Sequence, residues 1–134
     1  MIFIDSSALI AYLVKSDINH IKAGNLFAEV AEKELVTSQE VIDETLNWLT
    51  RKVSKKVIYE LGILLVSEDI IRILQSLKED KINALETIKR YSDQNLSFTD
   101  AMSFTMIKRL KIKTVFSLDK DFNLLKDVNN IFFS

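Results

Sequence analysis

Short apolar runs alternate along this chain with longer stretches in which apolar residues recur every three or four positions. Ile2-Phe3-Ile4 is a compact apolar run broken at once by Asp5-Ser6-Ser7, the pattern of a buried strand followed by a helix start. Ala8 to Val14 reads as that helix, with Ser6 or Ser7 suited to cap it. A second helix is predicted from about Asn19 to Lys33, carrying Ile21, Leu26, Phe27 and Val30 on one side. Leu35-Val36-Thr37 predicts a second strand, and Thr37 with Glu40 forms a capping-box pattern that opens a helix through about Lys52. A further helix spans Lys56 to Val66. The segment from Ile70 to Leu77 suits either element; a strand near Ile71 to Leu74 is preferred because it puts a sheet between the two halves. Asp80 to Tyr91 is helical, with Ile82, Leu85 and Ile88 at helical spacing, and Ser97-x-x-Asp100 opens a helix to about Leu110 that buries Met102, Met106 and Leu110. Thr114 to Ser117 predicts a strand, Leu118 to Phe122 a turn, and Ile131-Phe132-Phe133 a final strand.

Strands separated by helices of this length imply βαβ units, a parallel sheet and helices on both faces. The fold class is therefore α/β. There is no proline, no Gly/Ser linker and no repeat, so residues 1–134 are expected to form one domain. In such sheets ligands bind beyond the carboxyl ends of the strands. That rule selects among the acids. Asp5 follows the first strand directly, Asp119 lies just past the fourth, Asp100 is in the first turn of a helix, and Glu44 is in the second turn of another. All four are expected at one rim of the sheet, where carboxylates repel unless a divalent cation joins them.

Composition narrows the chemistry further. The only glycines are Gly24 and Gly62, which rules out dinucleotide and Walker phosphate loops and a nucleophile elbow. His20 stands alone, so neither a two-histidine ribonuclease nor a three-histidine zinc site can be built. With no cysteine there is no disulfide or thiolate chemistry. Carboxylate remains, and oxygen-rich sites suit Mg²⁺ or Mn²⁺. The 18 basic and 19 acidic residues argue against a strongly basic coat. Drawing several acids into one metal site would leave the remaining surface mildly basic. No membrane span or signal peptide is read, so the expected location is cytoplasmic.

These segments resemble the PIN-domain family, and most closely its VapC-type toxin ribonucleases. Ile4-Asp5-Ser6-Ser7-Ala8-Leu9 looks like the family's first motif, and Thr37 to Glu44 resembles the segment that brings in a glutamate. Tyr91 to Ala101 is the most specific match, and Val115 to Phe122 looks like the last motif, with Asp119 ahead of an Asp-Phe pair. The resemblance implies that Asp5, Glu44, Asp100 and Asp119 are the site acids, Asp121 a further acid near the metals, and Ser6 a hydroxyl beside the first aspartate. It implies a three-layer α/β/α domain with a parallel sheet of five strands, one or two Mg²⁺ or Mn²⁺ ions, hydrolysis of single-stranded RNA, homodimers, and a small VapB-type antitoxin as partner.

Each residue also has a plainer explanation. Asp5 could simply cap a helix, Asp100 completes a capping box, Asp119 and Asp121 suit a turn, and Glu44 lies nearly opposite the Ile42, Leu46, Leu49, Val53 stripe of its helix. His20 suits a surface or capping role, and Trp48, which could stack a base, suits half-buried packing better. Arg51, Lys52, Lys108 and Arg109 are candidate RNA contacts, although basic runs commonly do no more than solvate a face. The alternatives to a ribonuclease are a catalytically idle PIN-fold module that binds RNA or protein, and a DNA nuclease using the same metal chemistry. An aspartyl-phosphate enzyme fits poorly, because Ser7 stands where a second acid would be needed.

Overall fold

The computed structural model describes residues 1–134. In chain order the elements are β1 (Ile2–Ile4), α1 (Ser6–Leu13), α2 (His20–Glu29), β2 (Leu35–Ser38), α3 (Gln39–Lys52), α4 (Lys55–Val66), β3 (Arg72–Leu74), α5 (Lys78–Arg90), α6 (Phe98–Arg109), β4 (Thr114–Phe116) and β5 (Asn129–Asn130). A 3₁₀ turn, Lys120–Leu124, separates the last two strands. The five strands form one sheet in the order β3-β2-β1-β4-β5, and every pairing is parallel. This is the three-layer α/β/α fold the pattern predicts. Strand order reverses between β1 and β4, and such a reversal opens a crevice at the carboxyl ends of the two strands. Asp5 and Asp119 emerge at that crevice.

The central strands are apolar because both sheet faces are covered. Phe3, Ile4, Val36, Val115 and Phe116 have no exposed surface, and they join Leu9, Ile42, Phe104 and Phe122 in the main core. A smaller cluster of Ala84, Ala101, Met102 and Met106 holds α5 against α6. No helix is long and apolar enough to cross a membrane.

Several local expectations are corrected. The cap of α1 is Asp5, as the plainer reading of that residue has it, and not Ser6 or Ser7: its extended backbone continues β1 while its carboxylate accepts from the Ser7 amide. Ser38, not Thr37, caps α3, because Thr37 remains in the strand and donates its hydroxyl to the Ile4 carbonyl at 2.7 Å. Glu40 accordingly accepts from the Ser76 hydroxyl instead of completing a capping box. Helix α2 stops at Glu29, short of Lys33, where the Ala31 and Lys33 amides turn back onto the Ala28 and Val30 carbonyls. On α5, Ile82 and Leu85 are exposed, and Ala84 and Thr87 form the packed face instead. The last strand is Asn129–Asn130, not Ile131–Phe133. Phe132 serves packing there, with its ring stacked 6.4 Å from that of Phe116.

The α5–α6 pair carries a buried ion pair. Arg109 donates from Nε and an Nη to both oxygens of Asp80 at 2.8 Å, and Asp80 also accepts from the Leu77 amide that begins α5. Burial alone would raise the Asp80 pKa, but the Arg109 bonds outweigh it and hold the carboxyl below its ordinary value. Arg109→Ala strands a carboxylate that is 1% exposed, while the arginine end is 34% exposed. The expected cost is about 2 kcal/mol, below the full range for breaking a buried pair because solvent screens one partner. Urea unfolding measures it; an unchanged midpoint would contradict this role for the pair.

Candidate metal centre

Asp5 is fixed by two serines. Its Oδ2 accepts from the Ser7 hydroxyl at 2.7 Å and the Ser117 hydroxyl at 2.9 Å. The same two hydroxyls accept from the backbone amides of Leu118 and Asp119, and so tie the end of β1 to the segment after β4. Asn130 braces the arrangement by bonding the Ser117 amide and carbonyl. Every hydrogen bond that the Asp5 side chain accepts falls on Oδ2. Asp5 Oδ1 is buried and has no partner. A buried acceptor left without a donor is costly, and a bound cation would satisfy it.

The other acids arrive from separate elements. Asp100 lies one turn into α6, where Ser97 and Asp100 form the predicted reciprocal capping box. Asp119 caps the 3₁₀ turn by accepting from the Asp121 amide at 2.9 Å. Carboxylate oxygens of Asp100, Asp119 and Asp121 all lie within 4.8 Å of one another. Glu44 reaches in from the second turn of α3, where the Ser6 hydroxyl donates to its Oε2 at 2.9 Å. The helix face that looks merely solvated in sequence therefore borders the acidic crevice.

The proximity is felt electrostatically. Asp100 is pushed from 3.8 up to about 7, first by burial and then by the charges of Asp5 and Asp119. Burial raises Glu44 as well; the Ser6 bond opposes the shift and repulsion from Asp5 and Asp119 adds to it. Asp121 is raised by burial and by Asp119, and Asp5 by burial, against the lowering effect of its serine bonds. Four carboxyls with upward shifts in one crevice describe a site short of positive charge. An all-carboxylate donor set with one orphaned oxygen fits a hard divalent cation such as Mg²⁺ or Mn²⁺.

Residues 2–128 match the PIN domain. The chain belongs to the PIN-domain family. Among curated PIN-type relatives, it is 27% identical over 123 residues, 92% of each chain, to the 23S rRNA-specific endonuclease VapC20 of Mycobacterium tuberculosis. The crystal structure of that VapC20, described as a toxin cleaving the sarcin-ricin loop, superposes with a TM-score of 0.86 at 25% identity, covering 96% of this chain and 99% of the other. Two more distant structures share the fold. VapBC2 of Rickettsia felis, bound to a DNA fragment from its promoter, gives a TM-score of 0.73 at 12% identity, covering 97% of each chain. FitAcB of Neisseria gonorrhoeae gives 0.74 at 14% identity, covering 97% of this chain and 96% of the other.

The remaining sequence candidates separate on this PIN fold. Arg51 lines the same open cavity as Glu44, and Lys52 holds its ammonium 5.9 Å from the centre of the Trp48 ring. Arg109, expected as an RNA contact, is instead committed to Asp80. Lys108 borders a separate α5–α6 groove with Arg90, about 12 Å along the helix axis from Asp100. His20 places Nδ1 3.0 Å from the Ala11 carbonyl, a structural contact between α1 and α2. Sequence reasoning missed Ser7, Ser117 and Asn130, whose contacts hold Asp5. The available signals were Ser7 inside the first motif and a serine at the end of β4, which means nothing until β1 and β4 are known to be neighbours.

Proposed function

We propose that this PIN-domain protein is a metal-dependent endoribonuclease that hydrolyses single-stranded RNA, acting as the toxin of a VapBC-type pair. The observation that carries the reading is the convergence of Asp5, Glu44, Asp100 and Asp119 from four elements on one crevice, with Asp5 Oδ1 held free of any protein partner. Similarity to VapC20 supports the ribonuclease class, and the VapBC2 fold match is consistent with a small VapB-type antitoxin as partner. Homodimers follow from the family resemblance.

Asp100, Asp119 and Asp121, whose carboxylate oxygens cluster within 4.8 Å, would hold Mg²⁺ or Mn²⁺ together with Asp5. A divalent cation there supplies Lewis acidity toward the phosphodiester and makes a water easier to deprotonate near neutral pH. The chain's own groups do the rest. Ser7 and Ser117 fix the Asp5 carboxylate through Oδ2 and leave its other oxygen without a protein partner. Glu44, steadied by Ser6, orients the attacking water and accepts its proton. The capping box fixes Asp100 at the start of a rigid helix, which limits the reorganisation the site needs.

Substrate competition tests the class of nucleic acid. Labelled single-stranded RNA is expected to be cut, with unlabelled RNA of the same sequence competing and matched single-stranded DNA competing at least about tenfold less well. Faster cleavage of the DNA would replace this reading with a PIN-type DNA nuclease.

A further inference from the structure

Helix α3 carries a second feature that the acid cluster does not use. Beyond Glu44, the positions Asn47, Trp48 and Arg51 follow at helical spacing and line an open cavity of about 570 Å³ with Glu40 and Asp43. Thr99, the residue before Asp100, closes the opposite side. The cavity therefore shares Glu44 with the acidic crevice and runs from it along one face of α3. Trp48 is its one hydrophobic lining residue and the only tryptophan in the chain. A half-buried indole on a polar wall is not ordinary core packing.

We infer that this cavity is a nucleotide subsite: Trp48 stacks the base of the single-stranded RNA residue beside the scissile phosphate, and Arg51 meets that residue's backbone phosphate. The inference rests on the ribonuclease reading and adds to it where the flanking base goes. The chemistry of the wall matches. Single-stranded RNA is bound by splaying bases onto aromatic side chains and reading their exposed edges. Asp43 takes one bond, from Gln39 Nε2 to its Oδ1, and Glu40 takes one, from Ser76, so the α3 wall is rich in acceptors. Carboxylates repel a phosphate but accept from the exocyclic amino groups of cytosine, adenine or guanine. Asn47 adds an amide that can donate or accept. The cavity thus favours an amino-bearing base over uracil. Arg51, which makes no salt bridge within the chain, is left for the phosphate.

The single tryptophan makes the subsite directly observable. A short single-stranded RNA is titrated into full-length Asp5→Asn protein with Mg²⁺, so that binding is read from Trp48 fluorescence without cleavage. Saturable quenching is expected, weakened roughly tenfold when one nucleotide is made abasic and less so when it is uracil. In otherwise wild-type protein, Trp48→Ala should raise KM for RNA about tenfold with the effect on KM rather than kcat, Trp48→Phe should recover part of it, and Arg51→Ala should flatten the salt dependence. RNA cleavage by the wild type, with no quenching and wild-type KM for Trp48→Ala, would overturn the subsite and leave the nuclease reading standing. Quenching sensitive to the abasic site in a protein that cuts nothing would uphold the subsite and overturn the nuclease. If Trp48→Ala fails to fold, the abasic RNA decides the matter, because it alters only the ligand.

Discussion

Asp5→Asn is expected to lower RNA cleavage about a hundredfold to a thousandfold, the scale of losing one essential charge-stabilising group from a preorganised site. The same change should leave the metal-free protein folded and no less stable. Asparagine nearly matches aspartate in shape, and its carbonyl oxygen can still accept from Ser7 and Ser117. What it removes is a buried charge whose pKa is already raised and whose Oδ1 has no partner. Removing an uncompensated charge from the interior relieves a cost. Activity and stability should therefore part company at this residue, as they do where a site is arranged for binding and not for folding. Cleavage rate and the thermal midpoint in EDTA, measured on one preparation, check both halves. A variant that cuts like the wild type would remove Asp5 from the site, and a large loss of stability would make it a structural residue.

In the absence of metal the protein should become more stable as the pH is lowered from about 8 to about 5. Asp100 ionises at about 7 in the folded protein against 3.8 ordinarily. Within that window the folded protein holds a proton that the unfolded chain has released, so protonation favours the fold. Stability is highest below the unfolded value and falls as pH rises through the folded one. Asp5, Glu44 and Asp121, whose pKa values are also raised, act in the same direction. A saturating divalent cation should flatten the fall towards neutrality, because it binds the ionised form and stabilises by mass action. Asp100→Asn should flatten the EDTA profile while keeping the helix cap, since its carbonyl can still accept from the Ser97 amide. Thermal midpoints across pH, with EDTA and with Mn²⁺, measure this. A midpoint in EDTA that rises with pH over the same range would contradict the account of the cluster.

How much of this was legible in the residues depends on distance along the chain. Features set by neighbours were visible: the apolar runs of β1 and β4, the Ser97–Asp100 box, and acids falling just after strands. The order of strands was not written locally, so the serine brace on Asp5 could not be seen before β1 and β4 became neighbours, bringing together residues 112 positions apart. Glu44 was ambiguous for a related reason. A helix face bordering a crevice has the same polarity as one facing water, and only the Ser6 bond distinguishes them. Arg109 was misread because its partner, Asp80, lies 29 residues away on another helix. The aromatic run near the carboxyl end looked like a strand because packing and strand formation favour the same residue types. The backbone pairing fell instead on Asn129 and Asn130, where the Asn130 amide group serves Ser117.

The central claim, that these acids form one cation-dependent ribonuclease site, is tested most directly by cleavage of a labelled mixed-sequence single-stranded RNA. Purified protein free of any antitoxin is assayed with Mn²⁺, Mg²⁺ or EDTA, beside a folded Asp5→Asn/Asp100→Asn variant. The account predicts cutting with either metal, none in EDTA and none by the variant. Undiminished cutting in EDTA or by the variant, or no cutting by folded wild type with any metal, would contradict it.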